Sequence, residues 1–268
     1  MGMNPAKASL RYPTFVVIGA MRSGTTSLHA FLGNHPEVFM SPIKGPALFV
    51  DPTEPIRYPS KYTSLAGKRR NLSDEALIAD LTRSYSGEPH FGEATDLYTR
   101  FPAITSNVPG MMLGHNPDMR LVYLLRHPID RLVSQFRFEQ TKPLNKPPGD
   151  FAEYLRSTHD AISTSRYHHQ LSRYLDAGFE PNRIHLIVLE ELLKDPREAW
   201  KRLCSFLEVS FVEPGPFPRL NGTPYRLGAR SAHGSGKPPP RELVRTLRRD
   251  VEMLEDYVGR RIDVWSFE

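Results

Sequence analysis

Residues 15–27, FVVIGAMRSGTTS, decide the fold. Residues 15–18 form an apolar, β-branched run that is typical of a buried strand, and Gly19 ends it. Residues 26–34 then carry apolar side chains at helical spacing. A glycine-containing turn between a strand and a helix suits an anion, because glycine lets the backbone approach and the helix-terminal amides point at the ligand. The stretch therefore predicts an anion-binding loop in an α/β domain.

Strand and helix patterns alternate along the rest of the chain. Residues 120–125 and 183–189 predict two further buried strands. Further helices are predicted at residues 74–84, 129–140, 163–177, 196–207 and 241–258. Apolar strands that alternate with helices indicate a parallel sheet with helices on both faces, and with the first loop this predicts a P-loop-like α/β fold. We expect a flexible terminus at residues 1–13 and a single domain at residues 14–268.

Composition restricts the class of protein and of ligand. The 268 residues are 39% hydrophobic and 24% charged, which is typical of a globular protein. One cysteine, Cys204, excludes a disulfide framework. The net charge of +5 suits an anionic ligand, but no aromatic interleaving supports a nucleic-acid partner. No signal peptide or apolar run of roughly 20 residues is visible, so we expect a cytoplasmic protein without a membrane partner.

The first loop departs from the usual triphosphate-binding pattern. That pattern ends in Gly-Lys-Ser/Thr, with Lys on the outer phosphates and the hydroxyl on magnesium. Here Thr25 stands at the Lys position and the cation is Arg22, inside the loop. The second predicted strand runs into Arg126 rather than into an Asp that would hold magnesium. These differences favour a metal-free anion site, and a phosphoryl-transfer P-loop enzyme is kept as an alternative.

A second constellation follows the strand at residues 120–125. Arg126 comes directly after the strand, on the sheet edge where α/β proteins bind ligands, and Ser134 lies about two turns along the next helix. An arginine binds phosphate through two parallel hydrogen bonds, and a serine hydroxyl adds a third. Together with the first loop, this pattern indicates a ligand with two separated anionic groups.

These segments, in this order, resemble the sulfotransferases that use 3′-phosphoadenosine 5′-phosphosulfate (PAPS). The family motif (Lys/Arg)-x-Gly-Thr-Thr, which grips the 5′-phosphosulfate, is matched by residues 22–26. The family's Arg, with Ser eight residues later, grips the 3′-phosphate and is matched by Arg126 and Ser134. Further similar segments are residues 35–42, 91–98, 167–171, 186–192 and 259–265. Within the family, the sequence resembles the heparan-sulfate and bacterial branch.

The resemblance implies the sulfotransferase fold, PAPS as donor, no metal, and transfer to a hydroxyl or amine of a small-molecule or carbohydrate acceptor. It implies that Arg22 neutralises charge on the leaving oxygen. The implied donor-binding residues are Arg22, Ser23, Gly24, Thr25, Thr26, Ser27, Arg126, Ser134, Tyr167, Arg230 and Lys237. Arg230 and Lys237 belong to a Pro/Gly-rich loop at about residues 211–240, which we expect to act as a basic lid. Residues 219–249 hold eight Lys or Arg and one acid.

The acceptor side departs from the family pattern. Relatives carry Lys-Glu-Pro-His-Phe-Phe, with Glu as general base, where this chain has Gly45 at the Glu position and Ala47 at the His position. One interpretation is that another residue acts as base, and the neighbouring candidates are Glu93, His90, Asp51 and Asp96. Glu93 is the first choice as catalytic base, and His90 is second because histidine titrates near neutral pH. A second interpretation is an amine or acidic hydroxyl acceptor, and a third is a nucleotide-binding protein without transfer activity.

Overall fold

A five-stranded parallel sheet forms the centre of the protein. The computed structural model describes residues 12–54, 73–141, 146–147, 149–218, 220 and 238–267. The strands are β1 (Phe15–Gly19), β2 (Val38–Met40), β3 (His90–Ala94), β4 (Arg120–Leu125) and β5 (Ile184–Val188). Their order is β2-β3-β1-β4-β5, and every neighbouring pair is parallel. The predicted parallel α/β sheet is confirmed.

Helices cover both faces of this sheet. They are α1 (Thr25–Leu32), α2 (Asp74–Leu81), α3 (Val108–His115), α4 (Pro128–Gln140), α5 (Phe151–Ser157), α6 (His159–Thr164), α7 (Tyr167–Asp176), α8 (Leu189–Lys194), α9 (Pro196–Leu207) and α10 (Arg241–Val258). Side chains alternate across β1, so Val16 and Ile18 pack into one core and Phe15 and Val17 into the other. Two cores explain why all of β1 is buried.

The prediction of a single helix at residues 163–177 is wrong. The structure has two helices there, because α6 ends at Thr164 and α7 begins at Tyr167. Asp250 of α10 caps the new start: its carboxylate accepts hydrogen bonds from the His168 amide at 2.9 Å and the His169 amide at 3.1 Å. This cap comes from a helix 82 residues away, and no local pattern predicts it.

The strand order creates a crevice between β1 and β4. The chain leaves β1 toward β2 on one side of the sheet, and it leaves β4 toward β5 on the other. Because β1 and β4 are neighbours, the two connections diverge at their carboxyl ends. Parallel α/β sheets bind ligands at such a switch point. The loops after β1 and β4 are the two that the sequence predicts to bind anions.

Candidate functional site

The first loop (residues 20–24) joins β1 to α1 through backbone that favours glycine. A Cβ atom on Gly19 would lie 2.1 Å from Thr99 Oγ1, so no other residue fits there without movement. Gly24 precedes α1 in the left-handed region, with φ of 98°, and no side chain caps the helix. An uncapped helix start presents backbone N–H groups and the positive end of the helix dipole. The loop therefore has the local chemistry of an anion site.

Arg22 connects the first loop to the loop after β4. Its Nε donates to Ser134 Oγ at 3.1 Å, across 112 residues of sequence. Arg126 lies beside it, with Nη1 at 3.5 Å from the Arg22 carbonyl oxygen. The structure thus brings Arg22, Arg126 and Ser134 together in the crevice between β1 and β4. Two arginines and a hydroxyl at one place form a strong binding site for anions.

The backbone of Arg22 is strained. Its φ of 69° lies in the left-handed region, which costs a residue with a side chain on the order of 1–3 kcal/mol. We expect Arg22→Gly to be at least as stable as Arg22→Ala, and up to about 1 kcal/mol more stable, because glycine adopts this φ without a Cβ clash. Urea unfolding of the two variants measures the difference. An alanine variant more stable than the glycine variant would contradict the strain.

Tyr167 supports the backbone of the second loop. It is fully buried, and its hydroxyl donates to the Arg126 carbonyl oxygen at 2.6 Å. Its ring meets Tyr123 edge-on, with the ring centroids 5.9 Å apart. Burial raises the pKa of Tyr167 well above its ordinary value, so the phenol stays protonated and keeps donating. The sequence predicts Tyr167 in the donor site, and the structure gives it a hydrogen bond to the Arg126 backbone.

The remaining predicted donor residues line the start of α1. Ser23, Thr25 and Ser27 are buried, whereas Thr26 is half-buried. Ser27 Oγ accepts a hydrogen bond from the Leu220 amide at 3.0 Å, so the beginning of the predicted lid lies against α1. The two basic lid residues, Arg230 and Lys237, lie outside the described residues.

Arg131 is a site residue for which the sequence predicts no role. It is fully buried, and its Nη1 donates to the Met21 carbonyl oxygen of the first loop at 3.2 Å. Its Nε donates to Ser165 Oγ and its Nη2 to the Ala161 carbonyl oxygen, each at 2.6 Å. The guanidinium therefore fixes the peptide just before Arg22. One sequence feature could have predicted this role: Arg131 has mostly apolar neighbours in residues 129–133. An arginine in such a stretch is expected to be buried and to have hydrogen-bond partners.

Glu93, the first choice as catalytic base, lies at the carboxyl end of β3 with both carboxylate oxygens bonded. Tyr98 Oη donates to Oε1 at 2.5 Å, and Thr95 Oγ1 donates to Oε2 at 2.8 Å. The side chain is fully buried, and burial raises its pKa to about 7 against the opposing effects of these bonds and of Lys44. In this conformation Glu93 contacts protein groups and is shielded from solvent.

The turn that carries the two family substitutions is bound to the same hydroxyl groups. Gly45 and Ala47 both have positive φ, 77° and 56°. The Ala47 amide donates to Thr95 Oγ1 and the Phe49 amide to Tyr98 Oη, both at 3.2 Å. The Gly45 turn and the Glu93 carboxylate therefore form one hydrogen-bonded unit at the carboxyl end of β3.

His90 lies at the amino end of β3, away from the carboxyl end of the strand where Glu93 lies. It begins β3, and the four residues to Ala94 span about 13 Å along the strand. Burial and the nearby Arg120 lower the pKa of His90. The structure therefore does not bring His90, the second choice as base, to the first loop. Of the weaker alternatives, Asp96 is buried, and Asp51 is exposed and accepts from the Thr53 amide at 2.7 Å.

The raised pKa of Glu93 makes folding stability depend on pH. A carboxyl whose pKa rises from 4.5 unfolded to about 7 folded stabilises the fold below pH 4.5, and that contribution is lost as pH rises to about 7. Between pH 5 and 8.5 we expect the stability of the wild type to fall by about 2–3 kcal/mol relative to Glu93→Gln, as measured by urea unfolding. Glu252→Gln, on the exposed face of α10, is the control and should follow the wild type. Parallel pH profiles for wild type and Glu93→Gln would refute the shift.

Comparison with known proteins identifies the family. The profile of the sulfotransferase domain matches residues 13–217. The chain belongs to the sulfotransferase domain family. The predicted resemblance to sulfotransferases is confirmed, and the loops after β1 and β4 both lie within the matched region.

Relatives of this sulfotransferase-domain chain include eukaryotic and bacterial proteins. Heparan sulfate glucosamine 3-O-sulfotransferase 6 of Mus musculus is 26% identical over 238 residues, which cover 85% of this chain and 61% of the relative. The membrane-associated sulfotransferase kil1 of Dictyostelium discoideum is 28% identical over 169 residues, 62% of this chain and 31% of the relative. The chain thus spans less than two thirds of either relative. Among the described residues no helix is long and apolar enough to cross a membrane.

A solved bacterial structure has the same fold. The sulfotransferase from Alicyclobacillus acidocaldarius superimposes with a TM-score of 0.73 at 24% sequence identity, covering 95% of this chain and 99% of that one. The predicted sulfotransferase fold is confirmed over nearly the whole chain.

Proposed function

We propose that this protein transfers the sulfuryl group of PAPS to a hydroxyl or amine of a small-molecule or carbohydrate acceptor. The observation that carries the proposal is the 3.1 Å contact between Arg22 and Ser134. It joins the two predicted anion sites in the crevice between β1 and β4. Membership of the sulfotransferase family gives that pair of sites a donor with two anionic groups.

In this proposal the two loops divide the donor between them. The amides at the start of α1, the Thr25 and Thr26 hydroxyls and Arg22 hold the 5′-phosphosulfate, and Arg126 and Ser134 hold the 3′-phosphate. The acceptor atom attacks sulfur, the bond from sulfur to the bridging phosphate oxygen breaks, and 3′-phosphoadenosine 5′-phosphate (PAP) leaves. Negative charge builds on that oxygen, and Arg22 neutralises it. A permanently charged guanidinium stabilises the leaving group without donating a proton.

The acceptor proton requires a base or an acceptor that loses it readily. Among the predicted bases, Glu93 is supported by its place beside the Gly45 turn and by a pKa near 7. To reach an acceptor within hydrogen-bond distance, Glu93 has to exchange Tyr98 or Thr95 for the new partner. An amine or acidic hydroxyl acceptor would remove that requirement.

The predicted lid adds two basic residues to the donor site. Arg230 and Lys237 of the lid would close over the 3′-phosphate, and the Ser27–Leu220 contact anchors the start of that segment. No metal and no nucleic acid take part in the proposed reaction. The cytoplasmic location and the division into residues 1–13 and 14–268 remain predictions.

Calorimetric titration tests the donor site. The wild type is titrated with PAP without metal, and separately with ADP plus magnesium. We expect tight binding of PAP alone, followed by transfer of labelled sulfate from PAPS in an acceptor screen. Absence of PAP binding would overturn the proposal, and preference for ADP with magnesium would favour phosphoryl transfer. PAP binding without transfer to any acceptor class would favour a nucleotide-binding protein that lacks activity.

A further inference from the structure

The guanidinium of Arg22 lies over an aromatic ring. Its Cζ is 4.6 Å from the centroid of the Phe138 ring. The same group donates from Nε to Ser134 Oγ. Ser134 and Phe138 are four residues apart on α4, so they lie on the same side of the helix. One helical turn of α4 thus contacts Arg22 through a hydroxyl at Nε and through an aromatic ring beside the guanidinium carbon.

The two contacts restrain different parts of Arg22. The ring contact restrains the guanidinium carbon, and the serine contact restrains Nε. Arginine binds phosphate and sulfate oxygens through a planar fork of N–H donors, so the orientation of its plane matters for the donor. We propose that Phe138 is a positioning residue that fixes the plane of Arg22 for the anionic donor. This inference rests on the proposed function and concerns the same site.

The contact with the Phe138 ring matters more for an arginine at this position than it would for a lysine. A lysine ammonium is a point charge that donates in three directions, whereas a guanidinium donates only within its plane. An arginine that replaces lysine therefore needs its plane oriented as well as its charge placed. Arg22 also projects from backbone in the left-handed region. Ser134 fixes one atom of the group, and the Phe138 ring fixes the plane.

Calorimetry with PAP tests the role on three variants. Phe138→Leu removes the π face at similar bulk, and we expect PAP affinity to fall about three- to thirtyfold. Phe138→Tyr keeps the face and should bind within about twofold of the wild type. The matched control is Phe101→Leu, because Phe101 also carries an arginine over its ring, Arg173 at 4.2 Å, but belongs neither to the two anion-binding loops nor to the predicted lid. The control should bind PAP as the wild type does.

A double-variant cycle separates positioning from a general structural effect. In an Arg22→Ala background, Phe138→Leu should change PAP affinity less than twofold, because its effect passes through Arg22. An equal loss in both backgrounds would overturn the proposal, as would a leucine variant that binds PAP like the wild type.

Magnetic resonance tests the contact without any nucleotide. The proton on Arg22 Nε should carry a ring-current shift that Phe138→Leu abolishes and Phe138→Tyr retains. An unchanged resonance in the leucine variant would overturn the stacking. Failure of the wild type to bind PAP would refute the proposed function alone, since this signal does not depend on the donor.

Discussion

Replacing Arg22 with alanine should lower turnover with PAPS by about 10²–10³-fold, the usual loss when a group that stabilises transition-state charge is removed. The loss should be in kcat more than in KM, because charge on the leaving oxygen develops in the transition state. Arg22→Lys keeps the charge without the planar fork and should retain activity about tenfold above the alanine variant. Transfer of labelled sulfate to an acceptor found with the wild type measures all three proteins.

The matched control is Arg137→Ala. Arg137 lies on α4 next to Phe138, but its side chain is exposed, whereas Arg22 bonds to the buried Ser134. If turnover depends only on the total positive charge, both alanine variants should lose it equally. If turnover depends on a specific contact of Arg22, only Arg22→Ala should lose it. Similar kinetics for the two would remove Arg22 from the reaction.

Replacing Arg126 with alanine should weaken PAP binding by about 10–100-fold. A charge-assisted hydrogen bond to a phosphate contributes about 1.5–3 kcal/mol, which corresponds to this range. The effect should depend on the 3′-phosphate, so adenosine 5′-monophosphate, which is PAP without that group, should bind the variant and the wild type within about threefold. Calorimetric titration of both nucleotides into both proteins gives the interaction energy between Arg126 and the 3′-phosphate.

Ser134→Ala provides a graded comparison for Arg126. It removes a neutral hydroxyl and the contact to Arg22, so we expect a loss of about three- to tenfold in PAP affinity. If Arg126→Ala weakened binding of both nucleotides equally, the second loop would not recognise the 3′-phosphate. The assignment of the two anion sites would then have to be reversed or abandoned.

The α/β class and the first loop were predictable because their signals are local. A β-branched apolar run, two glycines and a helical pattern lie within residues 15–34, and each reflects steric or solvation preferences of neighbouring residues. β2 and α3 gave no such signal. β2 has three residues, and α3 contains Pro109, Gly110 and Gly114, which are weak helix formers.

The acceptor side was predicted less well, because a motif does not show which way a side chain points. Glu93 and His90 are three residues apart, yet one lies at the carboxyl end of β3 and the other at its amino end. Each residue of an extended strand advances the chain by about 3.3 Å, so two residues that are close in sequence still lie at opposite ends of the strand. The raised pKa of Glu93 also needs the burial that only packing supplies.

The sequence by itself determined the α/β class, three of the five strands, the two anion-binding motifs and the missing Glu at Gly45. Only the tertiary structure decided that β1 lies beside β4, which brings Arg22 to Ser134 across 112 residues. It also decided that Arg131 supports Met21 and that the Arg22 guanidinium lies over the Phe138 ring. The physical reason is that backbone preferences act over a few residues, whereas strand order and side-chain contacts depend on burying both faces of the sheet at once.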